Sequence, residues 1–134
     1  AKYAGWVIYI QNGVLHYEQS LTPYREAMQG SSPLPAGPLT IRYQQRMTGR
    51  PFDGEGILFV NGSEVARHKY ERVLFSTAYD GFTIGSDLGN QVSTRYQGHF
   101  PFTGAIRKVE IDIDTSPANP VEMLRFLNQM VLNI

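Results

Sequence analysis

Apolar and polar side chains alternate with a period of two along much of this chain, and glycine, proline or asparagine bounds each alternating stretch. In residues 56–72, Gly-Ile-Leu-Phe-Val runs into Asn61-Gly62, and Ser-Glu-Val-Ala-Arg-His-Lys-Tyr runs out. Asn-Gly supplies the two positive-φ positions of a type I′ turn, so this stretch predicts a tight β-hairpin. Pairing Val60 with Ser63 sets Leu58 opposite Val65 and gives the hairpin one apolar face. Ile57, Phe59, Glu64 and Ala66 make the other face mixed. A strand pair apolar on one side and half-apolar on the other needs a second sheet to cover it.

The same chemistry appears earlier. Residues 5–11 lead into Asn12-Gly13 and then Val14-Leu15-His16-Tyr17. Two-residue pairing sets Gln11 against Val14, Ile10 against Leu15 and Ile8 against Tyr17, so Trp6, Ile8, Ile10, Leu15 and Tyr17 share a buried face. Residues 20–38 are rich in turn formers, with Pro23, Gly30, Pro33, Pro35, Gly37 and Pro38. Residues 39–46 alternate again and predict a half-buried strand, and 47–56 read as a loop. Short strands are expected over 73–76 and 82–85, a polar loop over 86–100, and a longer strand over 105–113. In that last strand Val109, Ile111 and Ile113 face one side, with Lys108, Glu110 and Asp112 toward water. At Pro117 and Pro120 the pattern changes. Asn119 can cap a helix, Pro120 suits its first position, and Leu124, Leu127 and Val131 recur at helical spacing. The expectation is an all-β, antiparallel two-sheet β-sandwich over 1–116. A helical extension over 117–134, with a helix at 120–131, packs on the sandwich or on a partner.

Composition narrows the function classes. At 134 residues the length fits one domain with a real hydrophobic core. There are no cysteines, which excludes a disulfide framework and thiolate metal sites. Twelve basic residues balance twelve acidic ones with no basic run, against nucleic-acid binding through phosphate. No window approaches the roughly 20 apolar residues of a membrane-spanning helix. The chain opens directly into strand-like sequence at Tyr3, which predicts a piece cut from a longer polypeptide.

Candidate chemistry is sparse. His16, His68 and His99 have no ligand partners at metal-site spacing, and His16 and His68 read as partly exposed strand residues. Two glycosidase carboxylates would have to face each other roughly 5–9 Å apart, and Asp112 and Asp114 share one face of one strand end. Asp87, between Gly85 and Gly89, is placed to accept N–H bonds from its own loop, with a loop calcium site as the alternative. No Gly-x-Ser-x-Gly elbow and no phosphate loop occurs. Asn61-Gly62-Ser63 fits the glycosylation pattern but lies within a tight turn. The eight tyrosines are more informative. Tyr24, Arg25, Tyr79, Tyr96 and His99 fall in or beside loops, where such side chains either pack on a neighbouring domain or stack on sugar rings. No residue stands out as catalytic, cofactor-binding or metal-binding.

Gly5-Trp6 with Asn12-Gly13, Leu34-Pro35-Ala36-Gly37, and Gly56-Ile-Leu-Phe-Val-Asn-Gly with Val65-Ala66 occur in order along the chain. Phe82-Thr-Ile-Gly-Ser-Asp with Val92 and Tyr96 follows, and then Pro101-Phe-Thr-Gly-Ala-Ile-Arg-Lys-Val-Glu-Ile. Over residues 4–114 this series resembles the C-terminal region of bacterial arylsulfatases. It is also similar to the broader concanavalin A/laminin G sandwich, a jelly-roll whose members often bind sugars. The resemblance implies a noncatalytic accessory domain packed on the catalytic sulfatase domain of the same parent chain, in a periplasmic or secreted setting. Calcium and the formylglycine made from a Cys/Ser-x-Pro-x-Arg signature are implied only for that other domain. Ser31-Ser32-Pro33 lacks the arginine of the signature. A lectin-like carbohydrate-binding module is the alternative.

Overall fold

Both Asn-Gly pairs adopt the left-handed backbone that their turns require. Asn12 and Gly13 have φ of 53° and 75°, and Asn61 and Gly62 have 50° and 83°. The computed structural model describes residues 4–21, 23–48, 53–72, 82–88, 91–114 and 126–134. Strand β1 (Ala4–Gln11) pairs with β2 (Val14–Leu21) in the expected register, Gln11 opposite Val14 and Ile8 opposite Tyr17. A third strand, β3 (Tyr24–Gln29), joins β2 antiparallel within the stretch read as turns. Tyr-Arg-Glu-Ala-Met-Gln carries no apolar alternation, because Met28 is its one buried side chain. The backbone ladder to β2, not an apolar face, makes it a strand.

The second sheet starts with β4 (Thr40–Met47), β5 (Gly54–Val60) and β6 (Ser63–Tyr70). Val60 pairs with Ser63 as expected, but a bulge between Leu58 and Phe59 sets Leu58 opposite Ala66 instead of Val65. The bulge leaves Val65 packed against the core while its carbonyl accepts the Ser31 N–H at 3.0 Å. The sheet continues with β7 (Lys108–Asp114) and β8 (Phe126–Asn133), in the order β6-β5-β4-β8-β7. All pairings in both sheets are antiparallel.

Three expectations need correction. The helix placed over 120–131 is not found at 126–131, which are part of β8, paired on one side with β4 and on the other with β7; residues 120–125 lie outside the described residues. The apolar positions Leu127, Met130, Val131 and Leu132 fit either period. A strand flanked on both sides can be apolar on both faces, so helical spacing arises there without a helix. The helical extension over 117–134 is thereby replaced, where described, by a strand inside the five-stranded sheet. Residues 82–85 form no strand, and the chain bends at 84–86, for reasons given below. The strand expected from 105 begins at Lys108, and the one expected at 73–76 lies outside the described residues.

The two sheets pack face to face. Leu15, Tyr17 and Met28 from the three-stranded sheet meet Ile41, Tyr43, Leu58, Val60 and Tyr70 from the five-stranded one, with Leu39 beside them. Trp6, Ile8 and Ile10 pack against this cluster, so the face predicted for the first hairpin is the buried one. At its centre Tyr17 stacks on Tyr43, with ring centroids 3.9 Å apart and planes 13° from parallel. The Tyr43 and Tyr70 hydroxyls are 2.7 Å apart, and Tyr43 donates to Gln45 Oε1 at 2.8 Å. Using each proton once, Tyr70 donates to Tyr43, which donates to Gln45. Gln45 Nε2 is buried with no partner among the described residues. On the opposite strand Gln19 Nε2 donates to the Arg72 carbonyl at 2.9 Å. Outward, Arg46, Glu55, Arg67 and Glu64 form an exposed charge ladder, which contributes little to stability.

Tyr70, paired with Gly54, reaches the centre because Gly56, two residues further along β5, has no side chain. A Cβ on Gly56 would lie 2.0 Å from the Tyr70 hydroxyl and 2.7 Å from Met28 Cε. Gly56→Ala is therefore expected to lower stability by about 2–3 kcal/mol, the range for overpacked cores. Urea unfolding monitored by tyrosine fluorescence measures it, and an unchanged midpoint would contradict this packing.

Candidate functional site

His16, Glu18 and Ser20 alternate along β2 with Leu15, Tyr17 and Gln19, so they point away from the sandwich core. Such positions should be wet, yet they are 6%, 1% and 3% exposed. The described part of residues 86–100, read from the sequence as a polar loop, covers this face with Val92, Ser93, Tyr96 and Phe100. His16 is thus a buried residue and not the partly exposed one expected.

The Glu18 carboxylate ties this layer together. Its Oε2 accepts the Tyr9 and Ser93 hydroxyls, each at 2.5 Å, and its Oε1 accepts the Arg25 guanidinium, with Arg25 Nε at 2.8 Å. Arg25 reaches on to Thr94 Oγ1 at 2.7 Å. One carboxylate thereby joins β1, β2, β3 and the covering loop. Burial pushes the Glu18 pKa up, but the Ser93 and Tyr9 hydroxyls and Arg25 more than offset it, and the carboxyl stays below its ordinary range. Burial and the bond to Glu18 push the Tyr9 phenol up to about 12.

Aromatic rings fill the space beside this network. Tyr9 stacks on His16 at 4.8 Å and meets Tyr96 edge-on at 5.1 Å, while Tyr96 stacks on Phe100 at 4.7 Å. Phe100 has a φ of 42°, unfavourable for a bulky residue, and these ring contacts hold it there. Burial and Asp87 raise the Tyr96 pKa. Burial first, and then the Arg95 charge, lowers that of His16.

Asp87 organises the loop itself. Its Oδ2 accepts the Val92 N–H at 3.0 Å, as expected of its position, and also the Tyr96 hydroxyl. The Asp87 N–H donates to the His99 carbonyl at 2.7 Å, Phe102 N–H to the Gly85 carbonyl at 2.7 Å, and Thr83 Oγ1 to the Ser86 carbonyl at 2.6 Å. These bonds, with Gly85 at φ 88°, turn 82–88 into a braced loop and prevent the strand expected at 82–85. The loop holds Phe82, Ile84 and Leu88 at 51%, 55% and 48% exposure. Phe82 leans toward Trp6, with ring centroids 5.7 Å apart.

Of the five residues singled out from the sequence, the structure brings Arg25 and Tyr96 into the layer over β1–β3. His99 contributes its backbone and leaves its side chain exposed. Tyr24 is exposed at the edge, with the Arg72 guanidinium 3.9 Å from its ring centre. Tyr79 lies outside the described residues. Sequence analysis missed Glu18, Ser93 and Tyr9. The available signal was the spacing Val92, Tyr96, Phe100, which is too apolar for a wet loop.

Chemically, this layer attaches a loop to a sheet. Ser93 is fully buried and gives its proton to a carboxylate, so it offers no accessible nucleophile. Among the described residues no three His, Cys, Asp or Glu side chains converge to hold a metal ion. No described helix is long and apolar enough to cross a membrane.

Removing the carboxylate leaves Arg25, Tyr9 and Ser93 facing a weaker partner, and Glu18→Gln is expected to cost about 3 kcal/mol in urea unfolding. The pH dependence follows from two groups that both ionise at lower pH folded than unfolded. His16 leaves stability intact above its ordinary value of 6.5 and erodes it as pH falls from there toward the lowered folded value. Glu18 contributes stability that is present above 4.5 and is lost as pH falls through its lower folded value. The thermal midpoint is expected to fall in two stages on acidification, with His16→Phe removing the first stage only. Comparison with protein-family models, with curated proteins and with solved structures finds no match.

Proposed function

We propose that this chain is a noncatalytic accessory domain. It docks through the loop bearing Phe82, Ile84 and Leu88 onto a sulfatase-type hydrolase domain of the same parent polypeptide. The observation that carries this reading is a loop braced by Asp87 that still presents three large apolar side chains to solvent. A loop without function would fold such residues inward, whereas a stiff apolar one loses little entropy when a partner covers it. The arylsulfatase resemblance supplies the kind of partner, and two packed antiparallel sheets are consistent with the concanavalin A-like jelly-roll it implies. The carboxylates Glu18, Glu26, Glu55 and Asp87 are each engaged by hydrogen bonds or ion pairs, which supports a binding role over acid–base chemistry.

The Trp6–Phe82 pair favours a second reading, a sugar-stacking surface of a carbohydrate-binding module. Tyr24 supports it less, because Arg72 already occupies a face of that ring.

The parent gene is expected to encode a Cys/Ser-x-Pro-x-Arg signature upstream. In the full-length protein, after the linker is nicked by protease, the two parts should stay associated. Phe82→Ser with Ile84→Ser should weaken that association by about a hundredfold or more, from the loss of two buried apolar groups. A parent without a hydrolase domain, or sulfate-ester turnover by this chain alone, would overturn the proposal. Saturable binding of oligosaccharides by the isolated chain, abolished by Trp6→Ala, would replace it with the second reading.

A further inference from the structure

The two Asn-Gly turns form an internal comparison. Asn12 and Asn61 are both exposed, both followed by glycine, and alike in backbone, with φ of 53° and 50°. Neither Gly13 nor Gly62 has a neighbouring atom within 4 Å of where a Cβ would stand. Each turn is anchored through its backbone, Gly13 O accepting from Leu34 N at 2.7 Å and Asn61 N donating to Thr40 O at 2.8 Å. They differ in the side chain. Asn61 Oδ1 accepts the Thr40 N–H at 3.0 Å, while the Asn12 amide has no hydrogen-bond partner among the described residues.

We infer that Asn12 is a site of spontaneous covalent modification, and that Asn61, with the same sequence signature, is protected by its tether to Thr40. The Gly13 backbone nitrogen loses its proton and bonds to Asn12 Cγ. The Cγ–Nδ2 bond breaks, ammonia leaves, and a five-membered succinimide remains. Water then opens the ring at either carbonyl, giving aspartate or isoaspartate. Glycine in the following position leaves the attacking nitrogen unobstructed. The same attack at Asn61 must first break the Thr40 bond, which fixes the side-chain amide.

The two products differ in their consequences. Aspartate tolerates the left-handed backbone at position 12 and keeps the hairpin, adding one negative charge. Isoaspartate inserts a methylene into the main chain of a two-residue turn. It displaces Gly13 O from Leu34 N and loosens the segment after Ser31, while Gly30 and Ser31 stay anchored to Leu15 O and Val65 O.

The test is incubation of the intact chain at mildly alkaline pH, with peptide mapping for the mass gain of about 1 Da at each asparagine. A parallel incubation in guanidinium supplies the rate ratio of the untethered chain. In the native protein the ratio of Asn12 to Asn61 conversion is expected to exceed the denatured ratio by about fivefold, the effect of one hydrogen bond. A native ratio equal to or below the denatured one would overturn the inference. As a second measurement, Asn12→Asp should retain the hairpin and the thermal midpoint. Aged native protein should gain proteolytic cleavage between Ser31 and Pro38 in proportion to its isoaspartate content, and cleavage independent of that content would overturn the assigned consequence.

Discussion

Everything in this molecule is arranged around a tyrosine column between the two sheets. Tyr17 can lie flat on Tyr43 only if the sheets are held at one separation, and Tyr70 can reach the Tyr43 hydroxyl only across a glycine. Three phenols in a core bring a large apolar area and three hydroxyls that must find partners. Tyr70 and Tyr43 relay into Gln45 and Tyr17 donates to Gln19 Oε1 at 3.5 Å, which leaves the Gln45 amide nitrogen unengaged among the described residues. Burial raises all three tyrosine pKa values well above the ordinary range, so the column stays neutral wherever the protein is folded.

A second layer repeats this logic on the other side of the three-stranded sheet. There the stack is Tyr9 on His16, edged by Tyr96, and the polar groups converge on a carboxylate instead of an amide. The difference matters because a carboxylate can organise four separate pieces of chain at once. Glu18 and Asp87 between them hold the loop that ends in Phe82, Ile84 and Leu88. The bracing of the exposed apolar residues therefore comes from Asp87 within the loop and from the buried Glu18 carboxylate through Ser93.

The sequence made the hairpins legible because Asn-Gly and strict alternation are local signals whose physics is complete within a few residues. Register at Ile10–Leu15 and Ile8–Tyr17 followed directly. What stayed hidden depends on partners distant in sequence. β3 is a strand because β2 lies beside it, and Glu18 is buried because Ser93 and Tyr96 cover it. β8 is a strand because β4 and β7 flank it, whereas its residues alone allow a helix. Of the candidate site, Arg25 and Tyr96 could be picked out as loop-associated side chains, but their common anchor could not. Glu18 falls in an ordinary alternating strand, where a charged residue normally marks the wet face.

The position of β8 also bears on how the protein is made. It lies between β4 and β7, yet it follows both of them in sequence. On a ribosome, β4 emerges and pairs with β5 long before β8 exists, and one edge of β4 waits with unpaired backbone groups. An unpaired edge of this kind invites association with other nascent chains. The five-stranded sheet is thus completed by a late insertion, and any shielding that β4 needs in the meantime has to come from a chaperone or from the chain already folded before it.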